Sequence, residues 1–155
     1  MPLINSPHFR PFTAQEVQAI TKCPPSVVDL WMKALGPKHG EGDQHDIVGL
    51  DFMQTFGIFV GWRFIEEGSG YKRAWIYCKF LAGCSEELVR YESSAGRSWP
   101  VPPEMDPEYP RGEFPNGTFV RPPKSRLGNT LNLTVLSRQY GAALDRVFPP
   151  PARPG

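Results

Sequence analysis

The chain has 155 residues, 40% of them hydrophobic, and a formal net charge of +1. That length suits one compact domain with an appended segment, and the near-neutral charge gives no global signal for a protein that coats a polyanion. No apolar run reaches the roughly 20 residues of a membrane-spanning helix. Met1-Pro2-Leu3-Ile4-Asn5-Ser6-Pro7 also lacks the basic-then-apolar order of a signal peptide, so no membrane association and a cytoplasmic location are expected.

The charge is unevenly spread. Residues 1–48 hold four Lys/Arg against five acids, whereas residues 121–155 hold six Lys/Arg against one acid. The three cysteines, Cys23, Cys78 and Cys84, have neither disulfide-framework nor zinc-knuckle spacing and read as reduced structural thiols. His39, Asp43 and His45 flank one loop, but solvated loop residues are the plainer reading and no metal site is expected there.

Residues 1–11, with Pro2, Pro7 and Pro11, read as an N-terminal arm. A first helix begins at Thr13: its side chain suits an N-cap, and Glu16 three residues on completes a capping box. Val17 and Ile20 give the helix a buried stripe, and Pro24-Pro25 ends it near Thr21 or Lys22. The same prolines suit the first turn of a second helix. Val27, Val28, Trp31 and Leu35 form its apolar face, Ser26, Asp29, Met32 and Lys33 are expected to point outward, and Gly36-Pro37 stops it.

The loop Lys38 to His45 is expected to be either a plain connection or a hairpin tip. Leu50 to Glu67 then reads as a helix that is apolar nearly all round, and therefore buried on more than one side. Gly57 and Gly61, one turn apart, allow another backbone to approach. That makes this helix a core element, a dimer seam, or both.

Tyr71 to Leu81 fits a helix or a strand, with Lys72, Arg73 and Lys79 forming a small basic face beside aromatic residues. Ser85-Glu86-Glu87 opens a short helix reaching about Ser94. The prolines between Trp99 and Asn129 predict an extended arm, with a short hairpin around Asn116-Gly117. Leu131 to Val135 alternates like a strand, a helix carrying Leu136, Tyr140, Leu144 and Val147 follows, and Pro149 to Gly155 is a tail.

The expected fold class is mainly α with small β elements. A winged helix-turn-helix head and short helices come first, followed by a Pro-rich extended arm and a C-terminal strand and helix. The expected segments are 1–11, the arm; 12–98, the winged helical domain; 99–129, the Pro-rich arm; and 130–155, a dimerisation element and tail.

Phe12-Thr13-Ala14-Gln15-Glu16-Val17, then Pro25-Ser26-Val27-Val28-Asp29-Leu30-Trp31, then Asp46 to Gly68 resembles the MerR-type winged helix-turn-helix. Lys22 stands where that pattern has a turn glycine, and Asp29 where it has an arginine. The long dimerising coiled coil is missing. The resemblance implies double-stranded DNA as partner, read by the second helix.

The function expected is a sequence-specific DNA-binding transcriptional regulator of phage or mobile-element type, acting as a homodimer without cofactor. Ser26, Asp29, Lys33, Lys38, His39, Arg121, Lys124 and Arg126 are the candidate DNA-binding residues. Two alternatives stand beside it. One is a protein-interaction module using helix 50–67; the other is the small DNA-recognition subunit of a phage packaging machine. No phosphate-binding loop or nucleophile elbow is present, so no catalytic residue is assigned.

Overall fold

The structure, a computed structural model, describes residues 11–39, 48–84, 90–92, 98–100 and 133–149. The chain divides into two compact units, Met1–Cys84 and Ser85–Gly155. Its described part is mainly helical.

In the first unit, α1 spans Ala14–Thr21 and α2 spans Pro25–Leu35. Thr13 caps α1 as its spacing predicts. Its hydroxyl accepts from the Glu16 amide at 3.2 Å, and the Glu16 carboxylate accepts from the Thr13 amide at 2.9 Å. Two of the donors that every helix start leaves unsatisfied are thereby paired. At the other end Lys22 adopts φ 58°, the left-handed region that glycine favours. Thr21 steadies this turn: its hydroxyl donates to the Val17 carbonyl at 2.7 Å and accepts from the Cys23 amide at 3.1 Å.

Lys38–His39 (β1) pairs antiparallel with Val48–Gly49 (β2), Lys38 opposite Gly49 and His39 opposite Val48. Leu50 continues the pairing on the other side. Its amide and carbonyl both bond to Phe12, at 3.0 and 2.7 Å. A β-carbon at Gly49 would lie 1.7 Å from the Phe12 carbonyl oxygen, so only glycine fits there. Leu50 is therefore not the first residue of the long helix, as its apolar pattern predicts, but a fully buried link between the start of the chain and the hairpin.

The long helix α3 is Phe52–Glu66, and α4 is Tyr71–Ala82; for the latter, the helical option of the sequence holds. All side chains from Phe52 to Phe59, and Val60 and Phe64, are buried. Gly57 and Gly61 do admit a close neighbour, and it is α4 of the same chain. A β-carbon at Gly57 would sit 2.4 Å from the Cys78 carbonyl oxygen, and one at Gly61 3.0 Å from that of Ala74. Phe64 and Tyr77 stack across this contact, ring centroids 4.0 Å apart and planes 8° from parallel. Trp31 of α2 closes the other side, its ring 3.1 Å from where a β-carbon at Gly61 would lie and its centroid 6.0 Å from that of the Trp75 ring. Of the options for the glycine face, a core contact, a dimer seam or both, the core contact is the one seen, against α4 of the same chain.

In the second unit, Arg90–Glu92 (β3) pairs antiparallel with Ser98–Pro100 (β4), with Tyr91 opposite Trp99. The helix predicted to reach Ser94 is corrected at Arg90–Glu92, which form a strand; residues 85–89 and 93–94 lie outside the described residues. Pairing with Ser98–Pro100 satisfies backbone groups that a frayed end of a short helix would leave open. The predicted strand at Leu131–Val135 is also corrected over its described residues, 133–135. Residues Leu133–Val147 form one helix, α5, which lies against the β3–β4 pair. Leu136, Tyr140, Ala143 and Leu144 are its buried face. The hairpin expected around Asn116-Gly117 and the arm at 1–10 lie outside the described residues.

Replacing Gly57 with Ala improves intrinsic helix propensity but forces two backbones apart. A net loss of about 1–3 kcal/mol is expected, measured as a lower urea midpoint. Gly70→Ala, where a β-carbon meets nothing within 4 Å, should be close to neutral.

Candidate nucleic-acid interface

The candidate surface is built on α2 and the β1–β2 hairpin. Pro25 starts α2, and the three-residue link Lys22-Cys23-Pro24 separates it from α1. Cys23, in that link, is buried, as are Val27, Val28, Trp31 and Met32. The opposite side carries Ser26, Asp29, Leu30 and Lys33, all exposed. One residue changes sides relative to expectation, and a second, not assigned to either face, proves to be outward. Met32 is 8% exposed and belongs to the core, while Leu30 is 64% exposed and belongs to the outer surface. At about 100° per residue, Met32 falls beside Val28 and Leu35, and Leu30 falls beside Ser26.

The hairpin is tied to α3 by one chain of polar contacts. The Lys38 ammonium is ion-paired with the Asp51 carboxylate. Asp51 is also the N-cap of α3, accepting from the Gln54 amide at 2.8 Å, while Gln54 Oε1 accepts from the Asp51 amide at 2.9 Å. Gln54 Nε2 in turn donates to the carbonyls of Leu35 and Gly36, each at 3.3 Å, at the C-terminal end of α2. These carbonyls are acceptors that a helix end leaves without an internal partner. One buried amide thus connects the end of α2, the start of α3 and, through Asp51, the base of the hairpin. Sequence reasoning missed this residue, although Asp-x-x-Gln is a capping-box spacing.

Of the eight candidate residues, Ser26, Asp29 and Lys33 are brought together on α2, and Lys38 stands at the hairpin base. Lys38 is held by Asp51, so its charge is partly balanced at the body. His39 is described only in its backbone, opposite Val48. Arg121, Lys124 and Arg126 lie outside the described residues, as do Asp43 and His45 of the loop.

Among the described residues, no three His, Cys, Asp or Glu side chains gather as a metal-ligand set. No described helix is long and apolar enough to cross a membrane. Burial, with a smaller contribution from Glu66, pushes the Cys23 thiol up to about 12. Burial raises Cys84 to about 11 and pushes Cys78 upward as well. A thiol that resists ionisation is a poor nucleophile.

No family model, no curated protein and no solved structure matches the chain.

Two outcomes test this local structure. Gln54→Ala leaves the Leu35 and Gly36 carbonyls without their donor and uncaps α3, for an expected loss of about 1–3 kcal/mol in denaturant unfolding. For Cys23, the unfolded chain loses its thiol proton first, so stability should fall as pH rises from 9.0 towards about 12. The expected slope is about 1.4 kcal/mol per pH unit for this thiol. Cys23→Ala should flatten that alkaline decline relative to the parent chain in parallel urea titrations.

Proposed function

We propose that this chain is a sequence-specific DNA-binding transcriptional regulator with a winged helix-turn-helix head, working as a homodimer in the cytoplasm. The observation that carries the reading is the order of elements in the first unit. Two helices joined by three residues are followed by an antiparallel hairpin and a buried helix, and the outer side of α2 is free of core duty. In such heads the second helix enters the major groove and a dimer reads two half-sites.

On this reading Lys33 contacts a phosphate or a guanine edge, and Ser26 donates to a base or phosphate. Asp29 accepts from cytosine N4, and Leu30 meets a thymine methyl group. The wing residues Lys38 and His39 approach the phosphate backbone, and Arg121, Lys124 and Arg126 add phosphate contacts from the arm. Most of the sequence-independent affinity would then come from residues beyond α2, because Asp29 offsets Lys33 locally.

That same balance favours a second reading, a protein-interaction module on the same scaffold without DNA contact. An exposed carboxylate on the outer side of α2 and a hairpin lysine already paired with Asp51 both support it.

Binding to labelled genomic duplex fragments at two salt concentrations separates the readings. A DNA regulator should lose affinity steeply with salt, and Lys33→Ala should reduce the magnitude of the log–log slope by about 1 if it meets a phosphate. No binding to any fragment at low salt would overturn the DNA reading and leave the interaction module.

A further inference from the structure

The outer side of α4 has no part in the core or in the α2 surface. The buried residues of this helix are Ala74, Tyr77, Cys78 and Leu81. The exposed ones include Lys72, Arg73, Ile76, Lys79 and Phe80. At about 100° per residue these five fall within one arc of about 120°, in the order Lys79, Lys72, Ile76, Phe80, Arg73. Two apolar side chains, 49% and 37% exposed, therefore form a ridge with lysines along one side and an arginine along the other. The helix Tyr71–Ala82 carries no acid. None of the three cations is ion-paired with an acid among the described residues.

We propose that this ridge docks an acidic amphipathic helix of a partner protein, one whose apolar stripe is flanked by Asp and Glu. The complement is geometric as well as electrostatic. An incoming helix with an apolar seam would cover Ile76 and Phe80, and acids beside that seam would meet cations on both flanks. This is the arrangement by which charges flanking a helix seam select partners. A duplex is a poorer occupant, because it would press phosphates onto Ile76 and Phe80. The surface is separate from α2, so the proposal stands whether or not the chain binds DNA.

The test uses the full chain and three labelled probes. One is a helical peptide with a leucine stripe flanked by glutamates, the second is the same peptide with lysine in place of each glutamate, and the third is a duplex of arbitrary sequence. Saturable binding of the acidic peptide is expected, with none for the lysine peptide. Ile76→Ser with Phe80→Ser, and separately Lys72→Glu with Arg73→Glu and Lys79→Glu, should each weaken it by roughly tenfold or more. All five positions are exposed, so thermal melting should change little. Hydrogen exchange on the unmodified chain gives a readout independent of any variant: the acidic peptide should protect α4 amides.

Absence of saturable binding, equal binding of the lysine peptide, or protection confined to other elements would overturn the proposal. So would loss of duplex binding on charge reversal without any effect of the serine pair, which would make the ridge a phosphate surface.

Discussion

Two helices can approach to backbone contact only where side chains are absent, and Gly57 and Gly61 supply that absence on one face of α3. The carbonyls of Cys78 and Ala74 occupy the space their β-carbons would take. Much of the first unit follows from this approach. It brings Tyr77 onto Phe64 as a stacked pair and leaves Trp31 to fill the remaining edge. Two glycines inside a helix each cost about 1 kcal/mol relative to alanine, and close packing against a neighbouring backbone is what offsets that cost.

Around this packed pair, polar contacts sit at the joints. Thr13 and Glu16 start α1, Thr21 shapes its end, and Asp51 and Gln54 start α3. Gln54 differs from the rest because its amide also reaches across to the end of α2. Asp51 likewise serves two elements, with one oxygen on its own helix and the other on Lys38. The candidate surface on α2 and the hairpin is thus held by groups that lie behind it.

What the sequence made legible was what is encoded within a few residues. The Thr13–Glu16 box, the proline start of α2 and the need for a backbone neighbour at Gly57 and Gly61 depend on spacing alone. Leu50 misled because an apolar residue before a helical run looks like its first turn, and its partner Phe12 is far away in sequence. Residues 133–135 alternate and are partly β-branched, so periodicity over so short a run could not separate strand from helix. Met32 turned inward because it borders the apolar stripe of α2, where small phase errors decide burial. The pairing of Lys38 with Asp51 is non-local and left no trace in composition.

The position of Trp31 has an optical consequence. Its indole belongs to α2, lies where it would crowd a β-carbon at Gly61 of α3, and is tilted at 44° to the indole of Trp75 on α4. Two indoles at that separation couple electronically. A small rotation of α2 would therefore alter the near-ultraviolet dichroism and the fluorescence of the pair. The chain carries its own gauge of how α2 sits on the α3–α4 platform, and a partner that tilts this helix could be followed without attaching a label.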